Sequence, residues 1–457
     1  MSDHPYDSIV DLIGHTPLVR LSKVGRGVKP SIFAKLEFMN PGGSVKDRVG
    51  LSMILDAEKR GIIKPGDVIV EPTSGNTGAG LALVGVLRGY QVIFTVPDKM
   101  SREKIDLLKA YGAKVIVTPS TVSPDHPASY VRVAERIVKE TPHSFMPNQY
   151  ANKANPDAHH RTTGPEIWDQ TGGKIDVLVC GVGTGGTISG TGRFLKKKNP
   201  KVKVVGVDPE GSLLHHWFEG TKGAYHSYRT EGIGEDFRPT TLDFKVIDEM
   251  IPVSDADAFL TARRLAREEG ILAGGSSGAA VFGALKIAKK YPKRKVIVVI
   301  LPDTGRNYLN KFYSDDWMTE YGYIASKEER IAVKDILRAK PKKIGEVISV
   351  SPKDSLEDAI SLMKRYGISH LPVVKDGAAV GSIREMSVMK KLSSGKVSQT
   401  QSIEQVMDDP LPFVRKGDKI LDVFNLLKDK NAALVIEKKK IAGIITTIDV
   451  INYLTKR

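Results

Sequence analysis

The stretch Met39-Asn40-Pro41-Gly42-Gly43-Ser44-Val45-Lys46-Asp47-Arg48 decides the fold of this chain. It lies between residues 31–38, which have the character of a strand, and an amphipathic segment from 45 to about 60, which predicts a helix. Ser44 stands at the N-cap position of that helix, and Asp47 follows three residues later, as in a capping box. The sequence therefore predicts a glycine-rich turn that leads into a helix with a lysine in its first turn.

That lysine, Lys46, occupies an unusual position for a cation. The N-terminus of a helix carries a partial positive charge that disfavours an ammonium group. An amine that loses its proton more easily is a better nucleophile and a better base. On position alone, a surface lysine of no chemical role explains Lys46 equally well, so the assignment depends on the other motifs of the chain.

Length and composition limit the kind of protein. A chain of 457 residues is too long for one core and suggests two or three domains. No apolar run approaches the length that spans a bilayer, so no membrane association is predicted. Residues 1–11 lack the basic flank and apolar core of a secretory signal. The single cysteine, Cys180, excludes an internal disulfide and suits a reducing compartment. We therefore expect a cytoplasmic protein.

The net charge of +15 raises the question of nucleic-acid binding. Basic residues are dispersed among acidic ones, and no nucleic-acid motif is recognisable. The tight clusters, at residues 196–198 and 438–440, resemble solvated turns or helix ends. We therefore expect no nucleic-acid partner, and a positive field suits an anionic cofactor and zwitterionic substrates equally well.

The chain divides into a long alternating segment and a short repeat. Residues 1–320 alternate strands and helices, which predicts an α/β domain with a mostly parallel sheet. Strands are predicted at residues 68–71, 91–96, 114–117, 177–180, 203–207 and 295–301. A linker is expected at 321–335, followed by two similar modules at 336–395 and 400–457. Each module has a helix ahead of two short apolar strands, and the repeat is about 60 residues long. Two such units should pack as a pair.

Three further turns combine glycine with hydroxyl or amide groups at strand-to-helix junctions. They are Thr73-Ser74-Gly75-Asn76-Thr77-Gly78, Gly181-Val182-Gly183-Thr184-Gly185-Gly186-Thr187 and Gly274-Gly275-Ser276-Ser277-Gly278. Backbone N–H groups at such junctions converge on one point and favour an anion. The second turn also satisfies G-x-G-x-x-G, with Asp208 about 20 residues later, so a dinucleotide site is an alternative. In the third turn, either serine could instead be a simple helix cap.

Together these turns resemble the pyridoxal-phosphate enzymes of the tryptophan-synthase β-subunit type, known as fold type II. The resemblance rests on Pro41 to Arg48, the three turns above, Asp208-Pro209-Glu210-Gly211-Ser212 and Pro147-Asn148-Gln149-Tyr150. It implies a catalytic domain of two subdomains with parallel sheets, followed by a tandem pair of α+β modules. It also implies pyridoxal 5'-phosphate as the cofactor.

The resemblance assigns a role to each matching residue. Lys46 would form the Schiff base with the cofactor and act as the catalytic base, and Asn76 would bind the ring hydroxyl. Ser276 would face the pyridine nitrogen, where a hydroxyl gives a weaker electron sink than a carboxylate and so favours β-elimination over transamination. The phosphate would be held by Gly183, Thr184, Gly185, Gly186 and Thr187. The substrate would be bound by Thr73, Ser74, Gly75, Thr77, Gln149, Tyr150 and Gly234.

Within the family, this chain resembles the members that join serine and homocysteine. The resemblance is carried by residues 98–104, residues 208–212 and the C-terminal pair of modules. Cysteine is a further candidate substrate for such a chain, and its use would release hydrogen sulfide. Cysteine synthase, which uses O-acetylserine and sulfide, is the alternative, and a catalytically idle binding protein is a second one. Haem-bearing members have axial Cys and His ligands in an N-terminal extension, so no haem is expected here. Glu235 stands where animal members carry a tyrosine, which puts the second substrate in question.

The C-terminal pair resembles the small regulatory modules known as CBS modules. Thr446 and Asp449 fit an adenosine site, in which the acid accepts hydrogen bonds from ribose hydroxyls, while Ser387 replaces the acid in the first copy. One adenosyl ligand, such as S-adenosylmethionine, is therefore expected. We also expect a homo-oligomer, a dimer or a tetramer, and no metal site. His159 and His160 are interpreted as structural or exposed residues at a helix start.

Overall fold

The fold is described here from a computed structural model, which covers residues 5–73, 75–98, 100, 102–123, 125–326, 331–340, 347–438 and 440–455, without the side chain of Asp429. The predicted substrate-binding residue Ser74 lies outside these residues. So do parts of the predicted linker and first module, at 327–330 and 341–346. The chain forms two compact units, Met1–Met318 and Thr319–Arg457.

The larger sheet of the first unit has the strand order β1-β2-β10-β7-β8-β9. All neighbours in it are parallel except β1 and β2. The strands are β1 (Leu18–Arg20), β2 (Ser31–Leu36), β7 (Val177–Gly181), β8 (Lys203–Pro209), β9 (Glu249–Val253) and β10 (Val296–Leu301). The central strands are almost wholly apolar and buried, as expected of parallel strands covered on both faces.

A second, all-parallel sheet has the order β5-β4-β3-β6. Its strands are β3 (Val68–Pro72), β4 (Gln91–Pro97), β5 (Lys114–Thr118) and β6 (Ser144–Phe145). Each sheet has its own apolar core, one around Ile69, Leu81 and Phe94 and the other around Leu178, Ile188 and Val298. The predicted α/β class with mostly parallel strands is thus confirmed.

Helices separate most of these strands. They are α1 (Lys46–Lys59), α2 (Asn76–Leu87), α3 (Arg102–Ala110), α4 (Tyr130–Glu140), α5 (Ala154–Arg161), α6 (Thr163–Gln170), α7 (Gly186–Lys198), α8 (Leu214–Glu219), α9 (Asp255–Arg264), α10 (Gly275–Ala288) and α11 (Asp315–Glu320). A π-helical turn, Leu265–Glu269, continues α9. Short 3-10 helices occur at Ile9–Leu12, Glu37–Met39, Phe244–Val246 and Gly305–Tyr308.

The start of α1 differs from the predicted capping box. The N-cap residue is Val45, whose side chain makes no capping bond. The Ser44 Oγ does accept a hydrogen bond from the Lys46 N–H, at 3.2 Å. Asp47, however, reaches back past Ser44 and accepts from the Gly42 N–H at 2.6 Å. The carboxylate therefore closes the glycine turn itself, because the turn curls over the first turn of the helix.

A buried ion network holds α1 against its surroundings. The Arg48 guanidinium donates to Glu37 from Nε at 2.7 Å and to Glu166 from Nη1 at 2.6 Å. The Lys35 ammonium also donates to Glu166, at 2.6 Å. Burial alone would raise the pKa of Glu166, but Arg48 and Lys35 outweigh it and lower that pKa to about 2. Arg48, two positions after Lys46, is thus tied to the 3-10 helix that follows β2 and to α6.

The second unit contains two copies of one supersecondary motif. In the first, β11 (His370–Lys375) pairs with β12 (Ala378–Arg384), and in the second, β14 (Ala432–Glu437) pairs with β15 (Lys440–Thr446). The copies are 62 residues apart, the separation between His370 and Ala432 and between Arg384 and Thr446. Both antiparallel pairs carry an irregularity at the same point. The predicted repeat of about 60 residues is confirmed.

The remaining elements of this unit flank the two strand pairs. The short strand β13 (Phe413–Arg415) joins β14 in parallel. The helices are α12 (Val333–Ala339), α13 (Leu356–Tyr366), α14 (Glu385–Ser393), α15 (Ile403–Val406), α16 (Ile420–Lys430) and α17 (Thr447–Thr455). Each copy has an apolar core of its own. Among the described residues, none of the helices is long and apolar enough to cross a membrane.

Candidate active site

Lys46 begins α1 at a point where two distant loops are fastened together. The Val45 N–H donates to the carbonyl of Pro302 at 2.8 Å. Ser44 and Asp303 are paired as an isolated antiparallel bridge. The loop after β10 therefore holds the glycine turn, and Lys46 projects from a fixed backbone.

Close packing of α1 on α2 places the starts of both helices side by side. A Cβ on Gly80 would lie 2.4 Å from the carbonyl oxygen of Lys46, and a Cβ on Gly50 would lie 2.6 Å from the backbone of Gly80. The two backbones can approach this closely only because both positions are glycine. As a result, Asn76, the first residue of α2, lies near the lysine that begins α1.

The environment of Lys46 favours its neutral amine. Burial lowers the pKa of Lys46, against the opposing influence of Cys180, Asp303 and Glu235. Burial also raises the pKa of the Cys180 thiol, to about 12, so that thiol is uncharged at neutral pH. A buried amine of lowered pKa is the form that can act as a nucleophile or a base.

The loop 181–187 has the geometry of an anion cradle. Gly185 is the N-cap of α7 with φ +78°, and a Cβ there would lie 2.4 Å from the Leu242 side chain. A Cβ on Gly183 would lie 2.8 Å from the carbonyl of Gly232. Glycine therefore leaves the backbone N–H groups at the start of α7 open to a phosphate. Lys46 and this loop line one small cavity, together with Gly183, Thr184, Gly185, Thr187, Gly232 and Ile233.

Asn155, which the sequence analysis did not select, supports the same loop. Its Nδ2 donates to the carbonyl of Gln149 at 2.8 Å and to the Thr184 Oγ at 3.1 Å. Its Oδ1 lies only 2.0 Å from where a Cβ on Gly186 would be. One amide thus links the predicted phosphate loop to the predicted substrate-contacting turn, and it explains why residue 186 must be glycine.

His159 also contacts the loop, contrary to its predicted place at a helix start. It lies in the last turn of α5, fully buried, with Nε2 3.2 Å from the Thr187 Oγ. Burial lowers the pKa of His159 to about 3, so the imidazole is neutral. Asn155 and His159 are four residues apart and share one face of α5. That spacing was the signal in the sequence that could have found them.

The loop after β3 is closed by its own threonine. The Thr73 Oγ accepts hydrogen bonds from the N–H groups of Gly75 and Gly78, both at 3.2 Å. Gly75 is the N-cap of α2, with φ +141°, which a side chain would strain. The helix α2 therefore begins at Asn76, within the glycine turn itself.

Two loops meet beside this turn. The Thr77 Oγ donates to the Oε1 of Gln149 at 2.5 Å. The Glu71 carboxylate accepts from the N–H groups of Asn148 and Gln149, at 2.8 and 3.0 Å. Burial raises the pKa of Glu71 to about 7. The predicted substrate residues Thr77 and Gln149 are thus brought together, although they are 72 positions apart in the chain.

Asp303 connects Asn76 to the opposite wall of the site. The Asn76 amide donates to Asp303 at 3.0 Å, and the Tyr308 hydroxyl donates to the same oxygen at 2.6 Å. Tyr308 lies under the Lys104 ammonium, 4.8 Å from the ring centre, and Lys104 pairs with Glu231. Burial raises the pKa of Asp303. The sequence analysis did not select Asp303 or Tyr308, whereas Glu231 begins the segment Glu231-Gly232-Ile233-Gly234, which resembles a glycine-rich loop beside the active site of the family.

Ser276 is buried in the first turn of α10, with 2% of its surface exposed. The alternative that either serine caps the helix is wrong, because the N-cap is Gly274, and in the described structure it has no side-chain capping bond. A Cβ on Gly274 would lie 2.0 Å from the Asp303 Oδ1. The start of α10 thus adjoins the Asp303 network, on the wall of the site where the resemblance puts the pyridine nitrogen.

The glycine loop that contains Gly234 brings a carboxyl group to the site. Gly234 has φ +80° and donates its N–H to the carbonyl of Val182 at 2.7 Å. The next residue, Glu235, is hydrogen bonded to the side chain of Tyr150. Burial raises the pKa of Glu235 to about 8. Glu235 thus follows one predicted substrate residue, Gly234, in the chain and is hydrogen bonded to another, Tyr150.

The second unit contains an open cleft of about 2230 Å³ between its two copies. Thr446 and Asp449 both line it, as do Ser387 and Asn431. Thr446 and Asp449 cap the start of α17. The Asp449 Oδ2 accepts from the Thr446 N–H at 2.8 Å and from the Thr446 hydroxyl at 2.6 Å. The Lys340 ammonium lies 2.7 Å from the same oxygen. Ser387 and Asp449 are 62 residues apart, so they occupy equivalent positions.

In the part of the chain that is described, no group of three or more His, Cys, Asp or Glu side chains could hold a metal ion. The neutral amine, the phosphate cradle and the buried serine instead fit a small phosphorylated aldehyde. Lys46 would bond to the aldehyde carbon, residues 183–187 would hold the phosphate, and Ser276 and Asn76 would contact the ring. The residues present therefore fit pyridoxal phosphate.

Comparison with known families identifies both parts of the chain. Residues 9–303 match the family described as pyridoxal-phosphate dependent enzymes. Residues 333–394 and 403–456 each match the CBS domain. The dinucleotide interpretation of Gly181 to Gly186 is therefore not supported. The Asp208 carboxylate that suggested it is buried and accepts a hydrogen bond from the His215 N–H at 2.9 Å.

Several relatives match nearly the whole chain. Cystathionine beta-synthase of Dictyostelium discoideum is 41% identical, over 98% of this chain and 92% of its own length. The protein of that name from Saccharomyces cerevisiae is 37% identical, over 98% of this chain and 97% of its own. A solved structure of a hydrogen sulfide-producing enzyme from Fusobacterium nucleatum has a TM-score of 0.63 at 40% identity, and covers 67% of this chain and 100% of its own.

Proposed function

The chain belongs to the pyridoxal-phosphate dependent enzyme family, and we propose that it replaces the hydroxyl of L-serine with the thiol of L-homocysteine, giving L-cystathionine and water. Its relatives of 37–41% identity over 98% of the chain bear the name of that activity. The observation that carries the proposal is a buried lysine of lowered pKa, Lys46, that shares a cavity with a phosphate cradle. The enzyme would be a hydro-lyase of transsulfuration and cysteine biosynthesis.

The cofactor and Lys46 have different roles in the proposed reaction. Pyridoxal phosphate, when bound, supplies an electron sink for negative charge at the substrate Cα. The Lys46 amine, whose pKa is lowered by burial, takes the proton from Cα and later returns it. The Ser276 hydroxyl would contact the ring nitrogen and moderate this electron sink, which would favour loss of the β-substituent.

The substrate is oriented by the loop after β3. The N-terminus of α2 favours a carboxylate. Thr73, Gly75 and Thr77 lie at this N-terminus. Gln149, held at its backbone by Glu71, closes the other side. We propose that this loop, with Ser74, binds the α-carboxylate, so that Cα lies beneath the Lys46 amine.

The decisive experiment compares two pairs of substrates. Initial rates are measured with serine and homocysteine, and with O-acetylserine and sulfide. We expect cystathionine to form readily from serine, and Lys46→Ala to abolish that turnover. Activity confined to O-acetylserine would contradict the proposal and make the protein a cysteine synthase. A colourless wild-type protein that binds no cofactor would favour an idle binding protein.

A second activity follows from the same chemistry. Cysteine in place of serine would lose its thiol, and the product would be hydrogen sulfide. The hydrogen sulfide-producing enzyme from Fusobacterium nucleatum, which matches two thirds of this chain, supports this proposal. Sulfide release from cysteine with homocysteine present is the measurement.

We propose that the cleft in the second unit binds one adenosyl compound, such as S-adenosylmethionine. The three contacts to Asp449 all fall on Oδ2, and no described residue is hydrogen bonded to Oδ1, which could accept from a ribose hydroxyl. Calorimetric titration should show one site in the wild type and none in Asp449→Ala. The matched control is Ser387→Ala, at the equivalent position of the first copy. Failure of every adenosyl compound to bind would leave the pair as an association element.

Three further properties are proposed with this function. The enzyme would need no haem, because Cys180 is buried within β7 with a thiol of raised pKa. Its visible spectrum should therefore show the pyridoxal cofactor alone. We also propose a homo-oligomer, a dimer or tetramer, in the cytoplasm, which light scattering of purified protein and fractionation of cells would test.

A further inference from the structure

Glu235 carries a partly buried carboxyl group that the proposed mechanism does not use. Its backbone is held from both sides by Ser212, whose Oγ accepts from the Glu235 N–H at 3.0 Å and donates to its carbonyl at 3.1 Å. The Leu213 N–H adds a bond to the same carbonyl at 2.9 Å. These three hydrogen bonds hold the backbone from which the Glu235 side chain projects.

The loop that leads to Glu235 lines the site. The preceding residues, Gly232 and Ile233, line the cavity that Lys46 and the phosphate cradle share. The carboxyl is hydrogen bonded to Tyr150, one of the residues assigned to the substrate, and it interacts electrostatically with Lys46. Glu235 therefore lies within reach of both the lysine and a predicted substrate residue.

The groups around Glu235 keep it protonated. Burial raises its pKa to about 8, and the neighbouring carboxyls of Asp236 and Asp208 add to that effect, while the Tyr150 hydrogen bond and the Lys46 charge oppose it. The other titratable groups near it are three tyrosines, Tyr130, Tyr225 and Tyr228. At neutral pH a proton is therefore available on a carboxyl beside the substrate.

We propose that Glu235 is the general acid that protonates the departing serine hydroxyl and the base that later accepts the thiol proton of the second substrate. This inference rests on the proposed function. Hydroxide is a poor leaving group, and protonation as the bond breaks turns it into water. The tyrosine of animal relatives cannot supply that proton as readily, because a phenol is a much weaker acid than a carboxyl group.

The protons and electrons balance through the cycle. Lys46 takes the Cα proton, the electron pair of that bond forms a Cα–Cβ double bond, and the Cβ–O bond breaks. Its electron pair leaves with oxygen, which receives the Glu235 proton and departs as water. The homocysteine sulfur then bonds to Cβ, its proton passes to the Glu235 carboxylate, and Lys46 returns its proton to Cα. Both groups end as they began.

The test uses a leaving group that needs no proton. In Glu235→Gln, turnover of serine with homocysteine should fall by about 100-fold or more, while turnover of O-acetylserine with homocysteine should change by less than about threefold. The control Asp236→Asn removes the exposed neighbouring carboxyl and should leave both rates near those of the wild type. Exchange of the serine Cα proton with deuterated water, which reports Lys46 alone, should persist in Glu235→Gln.

Two measurements do not depend on the activity of that variant. In the wild type, kcat with serine should fall as pH rises through about 8, because the acid ionises, while kcat with O-acetylserine should not. Infrared spectra of the cofactor-free protein at neutral pH should lose one protonated-carboxyl band in Glu235→Gln and none in Asp236→Asn.

The outcomes separate this inference from the proposed function. Equal slowing of serine and O-acetylserine in Glu235→Gln, or an unchanged serine rate, overturns the role of Glu235 alone. Wild-type protein that uses O-acetylserine but not serine overturns the proposed function and this inference together.

Discussion

At the scale of single residues, buried carboxyl groups are the notable feature of the site. Burial raises the pKa of Asp47, Glu71 and Asp208 to about 7. Each such group is easier to protonate in the folded than in the unfolded state, so it opposes folding as pH rises. Asp47 and Glu71 nevertheless hold backbone N–H groups of two predicted functional turns, and Asp208 holds the His215 N–H in the first turn of α8.

Asp47 allows a direct test of that cost. The folded-state pKa of about 7 exceeds the ordinary value of 3.8, so its contribution to stability falls between about pH 4 and 7 and is constant above. Asp47→Asn cannot ionise and keeps an acceptor for the Gly42 N–H. Its free energy of unfolding, relative to wild type, should rise by roughly 2–4 kcal/mol between pH 4 and 7.

The measurement is urea unfolding of the cofactor-free protein across that pH range. Asp56→Asn, which removes a partly exposed carboxyl of the same helix paired with Arg60, controls for loss of charge. A difference between Asp47→Asn and wild type that does not change with pH would show that Asp47 is ionised throughout.

At the scale of elements, the position of Lys46 depends on the contact between α1 and α2. The amphipathic pattern predicted α1, and the structure agrees to within one residue at each end. The pattern could not show that Gly50 and Gly80 would let two backbones touch, since these glycines have φ values that any residue adopts. Only the packed pair shows why they are needed.

Gly80→Ala separates helix propensity from packing. Alanine in a helix is favoured by about 1 kcal/mol over glycine, so propensity alone predicts a stabler protein. We expect the reverse, a loss of roughly 1–3 kcal/mol, because the new Cβ would lie 2.4 Å from the Lys46 carbonyl. Affinity for pyridoxal phosphate should fall as well, since α1 must move.

Thermal unfolding and a titration with the cofactor measure both effects. Gly417→Ala, where a Cβ would meet nothing within 4 Å, is the matched control and should change neither. A stabilised Gly80→Ala protein with full cofactor affinity would contradict the packing argument.

At the scale of the whole molecule, the chain has two units with separate cores. Residues 9–303 match the pyridoxal-phosphate dependent enzymes, and residues 333–394 and 403–456 match the CBS domain. The cores around Leu178 and Val298 and around Ile69 and Phe94 serve the first unit, and those around Val435 and Leu371 serve the second. The Fusobacterium enzyme is matched over its full length by 67% of this chain. We propose the divisions 1–320, 321–335, 336–395 and 400–457.

A chain that ends after Ser326 should therefore fold alone. We expect it to bind pyridoxal phosphate and to form cystathionine at a rate within about threefold of the full chain, because the whole site of the first unit is retained. It should lose any response to an adenosyl compound, as full-length Asp449→Ala should. An insoluble truncated chain, beside a soluble full chain, would show that the first unit needs the second.

The sequence by itself determined the α/β class, the repeat, the cofactor and the residues of each glycine turn. It could do so because each turn is a continuous motif whose glycines and polar groups are neighbours in the chain. It placed His159 at the wrong end of its helix and paired Asp47 with the wrong N–H, because both depend on how the backbone turns in three dimensions.

Only the tertiary structure decided which turns meet. Asn76 and Asp303 are hydrogen bonded across 227 residues, and Lys104 pairs with Glu231 across 127. No local pattern records such pairs, since they exist only once the two sheets bring the carboxyl ends of their strands together. The lowered pKa of Lys46 and the raised pKa of Glu235 arise in the same way, because burial is a property of the packed molecule.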